Sequence, residues 1–77
     1  MDLRIDHDEA QHRYLLFANE TLVAYADYRL NEDESVATFH HTVTIPEYRG
    51  NGFAGELVQR ALDDARARGR KVDPTCW

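Results

Sequence analysis

The chain has one cysteine, two prolines, four glycines and one tryptophan in 77 residues. The lone thiol, Cys76, cannot close an internal disulfide, so no disulfide framework holds this fold. No apolar run approaches the roughly 18 residues that a membrane span needs, and none has the make-up of a signal-peptide core. Basic residues are scarce as well. Nine Lys and Arg stand against 14 Asp and Glu, a net charge of −5, which argues against general nucleic-acid binding. Four histidines and one cysteine lack ligand spacing, so no metal site is expected. These absences leave a cytoplasmic protein as the expectation. The 43% hydrophobic content is too high for an acidic disordered tail. The length allows a single domain, 1–77, that buries only about 60–65% of its unfolded surface.

Along the chain the hydrophobic period is that of strands until residue 45, then that of a helix. Leu3 and Ile5 alternate within a polar, acidic start, as in a short edge strand. Residues 13–18 (RYLLFA) form an apolar run, and Asn19-Glu20 reads as a turn. Residues 21–30 alternate so that Leu22, Ala24, Ala26 and Tyr28 share one face, with Val23, Tyr25 and Asp27 on the other. A charged loop, Asn31 to Ser35, leads to a further β-rich run, residues 36–45. Short polar connections between consecutive strands predict an antiparallel meander. Pro46 ends the last of these strands because it has no N–H for the ladder. From Phe53, apolar residues recur at Leu57, Val58, Ala61, Leu62 and Ala65, the spacing of an amphipathic helix. Gly69 is its expected left-handed stop, and residues 70–76 make a last short strand marked as an edge or bulge by Pro74. Tyr14, Tyr25, Tyr28 and Phe39 read as core or sheet-face packing residues.

Between strand and helix lies the most informative segment, Arg49-Gly50-Asn51-Gly52-Phe53-Ala54. A strand followed by a glycine turn and a helix N-terminus is an anion site. Free backbone N–H groups converge there, and the helix dipole adds roughly half a positive charge. Charge agrees in sign. Residues 1–48 carry three basic and ten acidic side chains, whereas residues 49–77 carry six and four. Ordinary solvated arginines on a helix would give the same imbalance.

Two motifs compete for this segment. Gly50-Asn51-Gly52-Phe53-Ala54-Gly55 matches G-x-G-x-x-G, and Asp73 falls about 20 residues later, as a ribose-binding acid would. A dinucleotide loop, however, follows directly on a parallel strand. Here Pro46-Glu47-Tyr48-Arg49 intervenes, the preceding strands form a meander, and only 22 residues follow Gly55. The alternative pattern, Q/R-x-x-G-x-G/A, includes Arg49 and fits the whole run. A plain β-to-α turn accounts for Gly50 or Gly52, but not for the run with Arg49.

With the lead-in His41-Thr42-Val43-Thr44-Ile45-Pro46-Glu47-Tyr48, this segment resembles the pyrophosphate loop of the GNAT superfamily of acyl-CoA-dependent N-acetyltransferases, in its very small, single-domain form. The close resemblance covers residues 40–76. It implies an α+β fold: an antiparallel meander, the glycine loop, one main helix and a short final strand. It implies acetyl-CoA as co-substrate and acetyl transfer to an unidentified amine. Arg49, Gly50, Asn51, Gly52, Phe53 and Ala54 would hold the pyrophosphate, and the strand edge at Val43, Thr44 and Ile45 would pair with the pantetheine arm. His41 is the implied base; since His40 and His41 alternate along a strand, only one of them is expected to face a cleft. Cys76 is implied either to accept the acyl group or to line its pocket. The acidic first half suggests a cationic, polyamine-like acceptor. The acceptor-side helices and the general-acid tyrosine of larger relatives have no counterpart here. The ending on Cys76-Trp77 reads as abrupt, as in a truncated form, so the alternative is a CoA-binding or protein-interaction module without catalysis.

Overall fold

The computed structural model describes residues 2–74. Five strands form one sheet whose spatial order equals the chain order, β1 (Leu3–Asp8), β2 (Arg13–Ala18), β3 (Thr21–Leu30), β4 (Val36–Thr44) and β5 (Lys71–Pro74). The first four run antiparallel, and β5 lies parallel to β4. A parallel neighbour needs a crossover. The helix α1 (Phe53–Ala67) supplies it and packs across β2 to β5. This is the predicted meander, loop, helix and strand; the first strand is longer than Leu3 and Ile5 alone suggested. No helix is long and apolar enough to cross a membrane among the described residues.

Local chemistry sets the turns. Asn19 and Glu20 both take positive φ (49° and 74°), the conformation of a two-residue hairpin whose twist matches its strands. The helix ends at Gly69, φ +75°, with the Gly69 N–H donating to the Arg66 carbonyl and the Arg70 N–H to that of Ala65, both at 2.9 Å. That reciprocal pair satisfies the last carbonyls of α1 and turns the chain into β5.

The core lies between one sheet face and α1. Tyr14, Leu16, Ala24, Ala26, Tyr28 and Phe39 meet Phe53, Leu57 and Ala61, all buried. Simple alternation fails at two bulges. Leu16 pairs with Ala24 but Phe17 with Leu22, so Val23 is the extra residue. Val23 is therefore buried beside Ala24, and Leu22 stands opposite Phe17, against the expectation for β3. The second bulge is in β4 and shapes the candidate site.

The face away from α1 carries only half-buried apolar residues, among them Leu15, Phe17 and Tyr25. Two arginines lie over its rings, Arg4 at 4.6 Å from the Phe17 centroid and Arg13 at 4.8 Å from that of Tyr25. Their charges are matched by Asp6 (3.5 Å from Arg4) and Asp27 (2.6 Å from Arg13).

Candidate functional site

After β4, a single turn of 3-10 helix over Pro46–Tyr48 carries the chain to the glycine loop. Gly50 (φ +87°) and Gly52 (φ +74°) are both left-handed, and a Cβ built on either would meet nothing within 4 Å. Glycine is required here by backbone conformation, not by crowding. Gly52 is the N-cap of α1, and no side chain bonds back to the first turn. The first intrahelical bond runs from the Glu56 N–H to the Gly52 carbonyl, 3.1 Å. The N–H groups of Phe53, Ala54 and Gly55 therefore precede the ladder and point out of the helix end, where the dipole is positive. Asn51 braces the loop, its Nδ2 donating to the Tyr48 carbonyl at 3.0 Å. Tyr48 packs edge-on against Phe53 at 6.3 Å. Arg49, Asn51 and Ala54 are exposed, so the small side chain at Ala54 is not required by packing against the sheet. Glu56, the acid of the first turn, is offset by Arg60 at 3.3 Å.

A 310 Å³ cavity adjoins this loop. It shares Asn51, Phe53 and Tyr48 with the loop and is closed below by Ala18, Asn19 and Thr21 of the β2–β3 hairpin.

The other half of the site is the far end of β4. Pairing with β5 is described from Val36 with Lys71 to Phe39 with Pro74. Beyond Phe39, β4 continues to Thr44, and no described residue pairs with that outer edge. Val43, Thr44 and Ile45, predicted as an edge for an extended ligand arm, are half-buried; the first two lie on this stretch and Ile45 just past its end. The bulge falls at its start. Asp27 pairs with His41 but Tyr28 with Phe39, leaving His40 as the extra residue. Phe39 and Thr42 both face α1, in register with Tyr28 and Ala26, so the two histidines between them face away from it. Both are exposed. The expectation that only one of them could face a cleft is thus corrected: the bulge cancels the alternation. His41 lies 6.2 Å from the Tyr25 ring. Cys76, the other residue suggested to act on the acyl group, lies outside the described residues.

Two ion pairs among the described residues join the acidic half of the sequence to the more basic one. Arg68 pairs with Glu9 (2.5 Å) and Asp64 (2.9 Å), and Arg70 with Glu34 (3.5 Å). These arginines of the second half neutralise acids of the first, in addition to holding the helix end to the sheet. No cluster of His, Cys, Asp or Glu able to hold a metal is found among the described residues.

A buried polar cluster that sequence reasoning passed over sits at the other end of α1. His7 stacks on Tyr14 (centroids 4.1 Å apart), and its Nε2 bonds the Tyr28 hydroxyl. Its Nδ1 lies 3.3 Å from Asp64 Oδ2 without the alignment of a hydrogen bond; that oxygen accepts from the Tyr14 hydroxyl at 2.7 Å and from Arg68 Nε at 2.9 Å. His12 stacks on Tyr28 at 5.2 Å. Burial, followed by the Arg68 charge, lowers the His7 pKa against the pull of Asp64 and Glu9. Burial opposes ionisation of Asp64, but the hydrogen bonds from Tyr14 and Arg68 outweigh it and hold the carboxyl below its usual range. Tyr14 and Tyr28 are both pushed up, chiefly by burial. The sign for stability follows. A histidine with a lowered folded pKa contributes fully above its unfolded value of about 6.5 and loses that contribution as pH falls towards the folded one. Stability is expected to drop between pH 7 and pH 5, by at most about 1.4 kcal/mol per pH unit for this proton. Chemical denaturation of wild type and His7→Gln across that range checks it; identical pH slopes for the two would contradict the assignment.

With this geometry in view, comparison with known proteins is direct. The family model described as GCN5-related N-acetyl-transferase matches residues 13–77. The chain belongs to that acetyltransferase family. An uncharacterized N-acetyltransferase of Archaeoglobus fulgidus is 39% identical over 41 residues, covering 53% of this chain and 28% of that protein. A ribosomal-protein-alanine N-acetyltransferase of Brucella melitensis superposes with a TM-score of 0.70 at 20% identity, over 84% of this chain and 50% of that one. N-acetylglutamate synthase of Neisseria gonorrhoeae, solved with coenzyme A and N-acetyl-glutamate, superposes with a TM-score of 0.65 at 17% identity, over 77% of this chain and 14% of that one. At these identities the structural likeness shows the fold. The chain spans half or less of the length of each of these acetyltransferases.

Proposed function

We propose that this acetyltransferase domain binds acetyl-CoA and transfers its acetyl group to an amine. The observation that carries the reading is the uncapped start of α1, opened by two left-handed glycines, beside the outer edge of β4. In the proposed complex the pyrophosphate sits on the N–H groups of Gly52 to Gly55, with Arg49 alongside. The pantetheine arm runs along β4 at Val43, Thr44 and Ile45 as an added strand would. The thioester then reaches the bulge, where a backbone N–H of β4 would stabilise the developing oxyanion.

The chemistry is nucleophilic attack of a neutral amine on the thioester carbon. The amine must lose a proton, and the thiolate leaves readily because a thiol pKa near 8.5 makes it a good leaving group. His41 takes the proton in this reading, with Cys76 lining the acyl pocket or accepting the acyl group before the amine does. A cytoplasmic setting, with its acyl-CoA supply, fits this use. The carboxylate that pairs across the ladder with His41 is not free. Asp27, in register with His41, is held by Arg13 through two hydrogen bonds of 2.6 and 3.3 Å. A polyamine-like acceptor therefore has to draw on acids elsewhere, such as the Asn31–Ser35 loop, where Glu32 and Asp33 are exposed.

Thermal melting tests the reading. Acetyl-CoA at about 100 times Kd stabilises by roughly 2.7 kcal/mol. For a domain of this size that raises Tm by about 10–20 °C. No shift at millimolar acetyl-CoA eliminates the proposal. Intact mass after the same incubation separates the two roles of Cys76, since only a covalent acceptor gains an acetyl group.

A further inference from the structure

β1 closes one margin of the sheet, and no described residue pairs with its outer edge. A free strand edge is a template for another strand unless a proline, a bulge or unmatched charge blocks it. β1 has no proline, and its register with β2 is unbroken from Leu3 opposite Ala18 to Asp8 opposite Arg13. Antiparallel ladders alternate, so the bond from the Asn19 N–H to the Asp2 carbonyl (2.9 Å) settles which way each residue turns. Arg4 and Asp6 turn their main-chain groups to β2. Leu3, Ile5 and His7 turn theirs outward.

The side chains follow the same alternation. Leu3 and Ile5 pack at the rim of the core, half-buried, where α1 packs across β2 to β5 and does not extend over β1. Arg4 and Asp6 stand on the opposite face, exposed and 3.5 Å apart. An exposed pair of this kind contributes little by itself, so either charge is available to a partner. We propose that two copies of this chain pair antiparallel through β1 about a two-fold axis at Ile5, joining their sheets edge to edge. Ile5 then exchanges both main-chain bonds with the partner's Ile5, and Leu3 with the partner's His7. Arg4 falls opposite the partner's Asp6 in a pair without main-chain bonds between its members, where side chains come closest. The sheet already contains such a pair: Arg13 lies opposite Asp27 and holds it by two hydrogen bonds of 2.6 and 3.3 Å. Register is specified too. A shift that centres the axis on Arg4 or on Asp6 sets like charges together at the middle and leaves one outward residue without a strand partner. With the axis at Ile5 the like charges that meet are Asp2 and the partner's Asp8, past the last bonded pair, and Asp8 already accepts from the Gln11 N–H at 3.2 Å. The contact is isologous. It leaves the outer edge of β4 open in both copies and does not depend on the acyl-CoA reading.

Pairing of two short edges buries less than about 1,200 Å², the class of weak contacts, so the dimer should form at high protein concentration. Sedimentation velocity over about 10 μM to 1 mM should show wild type passing from 8.9 kDa towards twice that mass. Arg4→Asp and Asp6→Arg each set like charges opposite and should weaken association about 10-fold or more. Mixing these two variants should restore it, because every facing pair is then of opposite sign, and so should combining both changes in one chain. Amide hydrogen exchange of wild type reads the same edge without substitution: Leu3, Ile5 and His7 should gain protection with concentration, while Arg4 and Asp6, already bonded to β2, should not. A wild type that stays monomeric at about 1 mM overturns the proposal. So do a dimer indifferent to both single variants, a loss that neither mixing nor the combined change restores, and concentration-dependent protection confined to other strands.

Discussion

Replacing Gly52 by valine should leave a folded protein that no longer responds to acetyl-CoA. Gly52 has φ +74° and ψ 14°, a conformation that a β-branched residue adopts only as a strained outlier. The space around it is open, so the strain is in the backbone and costs roughly 1–2 kcal/mol. A domain of this length has about 4–12 kcal/mol of stability to lose, and its core does not touch the loop glycines. Relief of the strain turns the peptide units on either side of Gly52, and the N–H groups at the start of α1 no longer converge. Binding weakened 100-fold would leave only about 0.4 kcal/mol of stabilisation at the concentration that gave wild type roughly 2.7. In a melting experiment the ligand-induced rise of about 10–20 °C thus shrinks to a few degrees. Circular dichroism of the free variant shows whether the fold has survived. A folded Gly52→Val protein with the full wild-type shift would place the pyrophosphate somewhere other than this loop.

The largest effect on stability is expected from Leu57→Ala. The buried face of α1 consists of Phe53, Leu57, Ala61 and Ala65, so one leucine and one phenylalanine supply nearly all its bulk. Leu57 is fully buried. Truncating it removes a packed side chain and leaves a cavity, at a cost of about 2–5 kcal/mol. That is a large share of the total, and Tm should fall by roughly 10–40 °C. Because α1 carries the loop, the same variant tests the coupling of fold and ligand. Saturating acetyl-CoA should restore about 2.7 kcal/mol of what was lost, so the variant gains as much from ligand as wild type does. A Tm within about 5 °C of wild type would show that α1 is held by something other than this packing.

The parts of the molecule that were readable in the sequence are those governed by local chemistry. Gly69 stops the helix because only a left-handed residue closes the reciprocal bonds to Ala65 and Arg66. Asn19 and Glu20 make the hairpin, Pro46 ends β4, and the period of Phe53, Leu57, Ala61 and Ala65 sets the helix face. The glycine loop was legible for the same reason, since Gly50 and Gly52 are needed by their own φ values. What escaped depends on pairing between distant segments. A bulge is a mismatch of register between two strands and leaves no mark in either strand alone. Hence simple alternation places Val23 on the wrong face and makes His40 and His41 diverge, whereas the two histidines stand on one side. The polar cluster of His7, Tyr14, Tyr28 and Asp64 joins four elements. Its members read singly as core aromatics, a surface acid and an incidental histidine.

Strand order that follows chain order has a kinetic consequence. Each of the first three strand pairings joins segments adjacent in sequence, so β1 to β4 can assemble by successive short loop closures, a topology that folds quickly. Only β5 must wait for a partner more than 30 residues away, once α1 has formed and docked. The edge of β4 proposed to receive the cofactor arm lies beyond Phe39, where the described pairing with β5 ends, so it is built with the early meander and owes nothing to that last strand.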